Sequence, residues 1–226
     1  MIPPLIVQVA LEEGLQLIAI TDHNASANVW AVQKAAMGTG LTVLPGMELQ
    51  TSEDVHCLCI FDTLDQLSML QETVDQNLPA VDNRPDFFGE QFVVDETGDF
   101  IRREERLLLN STRLSLKQVN QIVCEIGGLF IPAHVNRQAF GLFPTLGMLP
   151  TDLYVSAIEI SRHLSITQAV EKYPQINTLP LIQNGDVHYL SDFLGSTTFF
   201  LENPTIEEIR KALRKIDGRS YTVGAK

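Results

Sequence analysis

The chain has 226 residues, 45% of them hydrophobic and 19% charged, enough apolar material for a sizeable core, which excludes a mainly disordered chain. Acidic residues number 28 and basic ones 16, and the resulting formal charge of −12 argues against the basic face that an extended grip on nucleic acid needs, although bound cations can invert the local sign. Three cysteines (Cys57, Cys59, Cys124) form no disulfide framework and fit a reducing cytoplasm, no run reaches the roughly 18 apolar residues of a membrane span, and the apolar start from Met1 to Ala10 lacks the basic residues of a signal peptide.

Pro3 to Leu11 reads as a helix, with Leu5, Ile6, Val9 and Ala10 on one face and Gly14 as the stop. Leu17 to Ile20 reads as a short buried strand ending in the polar cluster Thr21-Asp22-His23-Asn24. A helix near Val29–Met37 leads to a strand at Leu41–Leu44, followed by Gly46-Met47-Glu48. Val55 to Phe61 is a strand containing His56, and Leu64 to Leu78 has helical spacing. Residues 79–113 break this rhythm: the segment is polar and arginine-rich, and Glu96-Thr97-Gly98 looks like the turn of a hairpin between Gln91–Asp95 and Asp99–Arg103. It is expected to be an insertion on the rim of a single domain.

Ser115 to Ile126 is a helix with Ser115 as N-cap and Gly127-Gly128 as the stop. Strands follow at Leu129–Ile131, delivering His134, at Ala157–Ile160, and at Leu179–Ile182, delivering Asp186 and His188. Helices lie between them near Ile166–Tyr173 and after them at Thr205–Ile216. Strands alternating with helices argue for a parallel sheet or barrel, with polar residues gathered at one rim.

Of five histidines, four (His23, His56, His134, His188) sit in or just after strands, and Glu48 and Asp186 share that placement. Imidazole with carboxylate suits Zn²⁺, Mn²⁺ or Fe²⁺, and carboxylates can bridge two cations. His163 is placed outside the set. Arg137 and Arg162, each soon after a strand-end motif, are the candidate phosphate contacts through their bidentate forks. Trp30, Phe87, Phe88, Phe140 and Phe143 are expected to serve core or rim packing rather than to flank a base. Cys57 is expected to face away from His56, into an outer packing layer.

Thr21-Asp22-His23, Pro45-Gly46-Met47-Glu48, Pro132-Ala133-His134 and Asp186-Val187-His188 resemble, in order and placement, the motifs of the PHP (polymerase and histidinol phosphatase) family. The resemblance runs over essentially the whole chain. It implies a single-domain α/β protein, a distorted (β/α)7 barrel with two or three divalent metals at its C-terminal rim. In that arrangement Glu48 bridges two metals, His56 and His134 share one of them, Asp186 serves the other, and His23 and His188 hold the third. Glu48, Asp186 and His188 are the expected catalytic residues. The family's first strand, with its His-x-His pair, has no counterpart in this sequence, so several expected ligands are missing. The implied activity is hydrolysis of a small phosphomonoester or nucleotide, on a small phosphorylated substrate with no extended nucleic-acid binding and no membrane. The alternatives are a non-catalytic metal- or phosphate-binding protein with a degenerate site, a 3′-end nuclease, and an amidohydrolase.

Overall fold

The computed structural model describes residues 1–224. Helix α1 (Pro3–Glu12) leads to β1 (Leu17–Ile20), α2 (Val29–Ala35), β2 (Thr42–Gln50), β3 (His56–Ile60) and α3 (Leu64–Asn77). An excursion carries α4 (Pro85–Phe88), β4 (Phe92–Val94) and β5 (Phe100–Arg103). The chain then runs through α5 (Leu116–Ile126), β6 (Leu129–Pro132), α6 (Leu142–Leu146), β7 (Ile158–Glu159), α7 (Ile166–Lys172), β8 (Leu181–Ile182), β9 (Thr197–Phe200), α8 (Ile206–Arg214) and β10 (Ser220–Val223).

The main sheet has the order β1-β2-β3-β6, and β7 pairs with β8 in a second, two-stranded sheet. The expected all-parallel sheet is only partly present. β1 and β2 are parallel, as are β7 and β8, but β2–β3 and β3–β6 are antiparallel. The reason is the short connection at residues 51–55, closed by the Thr51 N–H on the Val55 carbonyl at 2.9 Å, which leaves no room for a crossover helix. β2 is also longer than the sequence suggests. Pro45 holds the last register position with β1 and Gly46 the first with β3, so the two strand breakers mark a change of partner rather than an end. The sheets do not close into a barrel, and β1 remains an edge strand.

Strand alternation sorts the core. Cys57 and Cys59 of β3, with Met47 and Leu49 of β2, point outward and pack against Leu67, Leu70 and Val74 of α3 and Val119 and Val123 of α5. Each such buried aliphatic side chain contributes about 1.5–3 kcal/mol. A second outer cluster joins Val7 and Ala10 of α1 to Val32 of α2 and Val43 of β2. The opposite face presents Leu44, Leu58, Ile60, Leu129, Ile131 and Ile182, partly covered by Ile206, Ile209 and Leu213 of α8. This inner face, with β1 and β9, borders a groove of about 890 Å³.

Local sequence explains the framing helices. Ser115 caps α5 and forms a reciprocal box with Gln118, and Gly127 ends the helix at φ 90°. Thr63 and Gln66 make the same box at α3. The β4–β5 hairpin turns at Gly98 (φ 91°), while the Asp95 carboxylate accepts the Thr97 and Asp99 N–H groups at 2.9 and 3.0 Å. The antiparallel pair β9–β10 is not anticipated from the sequence. No helix among the described residues is long and apolar enough to cross a membrane.

Candidate metal centre

The inner face of the sheet brings Glu48 and His56 to one end of the groove. Both occupy inward positions, two residues on from Gly46 and two before Leu58. Gly46 lets the neighbouring strands close in, because a Cβ there would lie 2.8 Å from Thr21 Cγ2. His23 joins through a parallel bridge to Glu48, and His134 stands two residues past the end of β6.

Glu48 is the hub. Its Oε1 lies 2.8 Å from His56 Nδ1 and 3.1 Å from His134 Nε2, and its Oε2 lies 3.6 Å from His23 Nδ1. His23 and His56 have ring centroids 5.1 Å apart, His56 and His134 5.3 Å, and His23 and His188 5.9 Å. Asp186 pairs with His188 Nε2 at 3.2 Å and with Arg137. Two overlapping groups offer ligand atoms within 4.8 Å of one another: His23, Glu48 and His56, and Glu48, His134 and Asp186. Glu48 belongs to both, and His188 reaches the second through Asp186. His163 is exposed and stands outside both groups.

Burial sets the electrostatics. Desolvation alone raises the Glu48 carboxyl, but hydrogen bonds from His134 and His56 and the charge of His23 outweigh it and hold the group well below the usual carboxylate range. Desolvation lowers His134, yet its bond to Glu48 and the nearby carboxylates leave it raised. His23 is lowered, chiefly by burial. Three imidazole nitrogens are buried without a hydrogen-bond partner among the described residues: His23 Nδ1, His56 Nε2 and His134 Nδ1. A divalent cation is the partner this donor set suits, since neutral imidazole and carboxylate together are its preferred ligands.

The backbone is bent to serve this cluster. Asn24, His134, Phe140 and Asp186 all have positive φ, at 48°, 29°, 59° and 49°. Conformations of this kind cost about 1–3 kcal/mol each outside glycine and gather at functional sites. Asn24 is a staple: its amide donates to the Leu108 and Asn110 carbonyls at 2.8 and 2.9 Å, and its Oδ1 accepts the Gln50 N–H at 3.0 Å. Asn28 ties the β4–β5 hairpin to the same region, donating to Phe92 O (3.1 Å) and Asp22 Oδ2 (3.4 Å).

Two residues stand out beyond the sequence reading. Glu159 is buried and accepts the His134 N–H at 3.0 Å, and burial pushes its carboxyl up to about 7. Its signal was a lone acid inside the apolar strand at Ala157–Ile160. Phe140 stacks on His56 with centroids 4.5 Å apart and planes 4° from parallel. Of the two candidate phosphate contacts, Arg137 lies at the centre, on Asp186. Arg162 binds Asp192 at 2.8 Å, and the Asp192 carboxylate in turn accepts the His188 and Tyr189 N–H groups at 3.2 and 2.9 Å.

No family model and no curated protein sequence matches the chain. Solved structures do match. The lesion-specific endonuclease Q from Pyrococcus furiosus superposes with a TM-score of 0.73 at 20% identity over 98% of this chain and 53% of that one. Endonuclease Q bound to a 27-mer duplex substrate, with an abasic lesion at the active site, gives 0.68 at 20% identity over 97% and 53%. This chain therefore spans about half the length of the endonuclease Q chains it matches. A proposed metal-dependent phosphoesterase from Bifidobacterium adolescentis gives 0.57 at 19% identity over 94% and 90%. A two-domain Bacteroides vulgatus protein said to contain a PHP-like metal-dependent phosphoesterase gives 0.52 at 14% over 98% and 60%.

These matches correct one expectation. The family resemblance implied a small phosphorylated substrate and the acidic balance argued against extended nucleic-acid binding, yet endonuclease Q, of the same fold, takes a DNA duplex. Net charge reports the whole surface, whereas a site with bound cations sets its own local sign. The resemblance carried by the four motifs holds at the level of architecture: the chain has the α/β fold of endonuclease Q and the PHP-like phosphoesterases.

Proposed function

We propose that the chain is a metal-dependent phosphoester hydrolase acting on a nucleic-acid phosphodiester. The observation that carries the hydrolase reading is the single carboxylate of Glu48 facing three buried or half-buried imidazoles, with three of their ring nitrogens buried without a hydrogen bond among the described residues. An unsatisfied buried polar atom costs about 1–3 kcal/mol, and a cation beside Glu48 would relieve that cost at His23 Nδ1, the one of these nitrogens that faces the carboxylate. His23, Glu48 and His56 would hold one ion, and Glu48, His134 and Asp186 a second that shares Glu48. Mn²⁺, Zn²⁺ and Fe²⁺ all take such ligands. When bound, the ions supply Lewis-acid neutralisation of phosphoryl charge and a nucleophile at neutral pH.

The chain's own groups do the rest. Glu48 stays ionised through the working pH range, held so by its imidazole partners. Arg137, beside Asp186, offers its remaining guanidinium N–H groups to a phosphoryl oxygen. His188 is exposed and bonded to Asp186, which orients it to give a proton to the leaving oxygen. Arg162 braces the His188 loop through Asp192.

The nucleic-acid part of the reading rests on the endonuclease Q structures and their duplex substrate. In this reading residues 1–226 belong to one PHP-like domain, a distorted (β/α)7 barrel open beside the edge strand β1, and residues 79–113 are a rim excursion. The three unpaired cysteines fit a cytoplasmic setting.

The test is nicking of a labelled DNA duplex, undamaged or carrying an abasic lesion, by metal-stripped protein resupplied with Mn²⁺, Zn²⁺ or Fe²⁺. Metal-dependent nicking is expected. In Glu48→Gln it should fall by more than the roughly 10–100-fold that loss of an outer-shell partner costs. Turnover of an aryl phosphodiester with both duplexes left intact would refute the nucleic-acid part. Inertness toward every ester, with no metal bound, would refute the whole.

A further inference from the structure

Phe140 has three properties that packing alone does not require together. It holds a bulky side chain at φ 59°, a conformation that ordinary L residues avoid. Its backbone carbonyl accepts the His56 N–H at 3.1 Å while its ring lies flat on the His56 imidazole. Yet Phe140 remains 38% exposed, whereas Phe143, three residues on in the same segment, is 4% exposed and belongs to the core. One ring face is occupied by a candidate metal ligand, and the residue still reaches solvent beside it.

The segment that carries Phe140 is rigidly set against that centre. Arg137 N–H meets the His134 carbonyl at 2.8 Å, and a Cβ at Gly141 would collide with the Arg137 backbone. The Arg137 side chain then joins the segment to Asp186. A strained, partly exposed aromatic residue is thus held against a candidate metal ligand, in the segment that carries Arg137, the candidate phosphate contact.

We propose that Phe140 is a specificity-determining residue that stacks on an unstacked nucleobase next to the scissile phosphodiester. This rests on the nucleic-acid reading above. A base in an intact duplex is covered by its neighbours, so the nucleotide at this position is single-stranded or turned out of the helix. Stacking on an aromatic side chain is sequence-tolerant, since every base has a π face. The site therefore discriminates the presence of a base at this position, with little preference among the four.

The test compares two labelled oligonucleotides, one with a normal nucleotide beside the scissile bond and one with an abasic analogue there. Wild-type protein, supplied with Mn²⁺, should show a KM about tenfold lower for the base-bearing oligonucleotide, the scale expected of one stacking contact. Phe140→Leu should bring the two KM values within about twofold of each other. Equal losses on both substrates would mean that Phe140 only props His56, and would overturn the proposal. A preference kept by Phe140→Leu but lost in Tyr189→Ala would overturn it too, because Tyr189, 73% exposed beside His188, is the neighbouring aromatic. If the wild type cleaves neither oligonucleotide, the hydrolase reading fails separately, and anisotropy of the same pair in chelator decides the stacking. About tenfold tighter binding of the base-bearing form, abolished by Phe140→Leu, supports it, and equal binding of both forms refutes it.

Discussion

Replacing Glu159 by glutamine isolates the cost of the buried carboxylate beneath His134. The amide keeps an acceptor for the His134 N–H, now met by Glu159 Oε2 at 3.0 Å, but carries no charge. Burial is the largest cause of the raised carboxyl, with Glu48 and Asp186 adding to it and His134 opposing it. Because the folded value of about 7 lies above the ordinary 4.5, the folded chain holds the proton more tightly than the unfolded chain does. The associated stability is fully present below pH 4.5 and is lost as pH rises through 7. The whole gap corresponds to about 3 kcal/mol. Urea unfolding of metal-free protein should therefore show Glu159→Gln more stable than wild type by about 1 kcal/mol at pH 5.5 and by about 3 kcal/mol at pH 8.5. A difference that stays constant between these pH values, or a variant less stable at pH 8.5, would refute the reasoning.

Other perturbations reach different parts of the account. His134→Ala removes a ligand of one of the two proposed ions and should shrink the rise in melting temperature that Zn²⁺ or Mn²⁺ gives the wild type, each bound ion contributing about 2.7 kcal/mol at a metal concentration 100 times its Kd. An equal rise in the variant would remove His134 from the centre. Ser115→Ala, which breaks the reciprocal box at α5, should cost about 1 kcal/mol in urea unfolding, and an unchanged midpoint would show the cap to be idle. Gly128→Ala puts a methyl group into the Phe61 ring and should cost about 1–3 kcal/mol by the same assay, whereas wild-type stability would show that the ring moves freely.

Much of the architecture was legible where the signal is local. The caps at Ser115 and Gly127, the hairpin turn at Glu96-Thr97-Gly98, and the outward direction of Cys57 follow from hydrogen-bonding capacity, positive φ and strand alternation. The direction of the strands was not legible, because whether β3 returns beside β2 or crosses over depends on how a five-residue loop closes. The length of β2 was hidden by Pro45 and Gly46, which end most strands but here serve a change of partner. β9 and β10 pair across an intervening helix, a contact that no local periodicity encodes.

The candidate site divides in the same way. His23, Glu48, His56, His134, Asp186 and His188 could be picked out by residue type and position relative to strands, and the structure brings them together around Glu48 and Asp186. Glu159 could not be distinguished from any other strand acid, because its role depends on burial against His134. Phe140 was assigned to packing, since a stacked imidazole and a positive φ are properties of the folded loop.

The central claim is that the cluster around Glu48 is a metal centre that hydrolyses phosphoesters, and one titration tests it most directly. Metal-stripped wild type and Glu48→Gln are titrated with Mn²⁺ while the rate of hydrolysis of a labelled DNA phosphodiester is followed. The account predicts a wild-type rate that rises from the chelated baseline and saturates with bound metal, and a Glu48→Gln rate that stays at the baseline. Hydrolysis that is indifferent to metal, or that survives undiminished in Glu48→Gln, would contradict it.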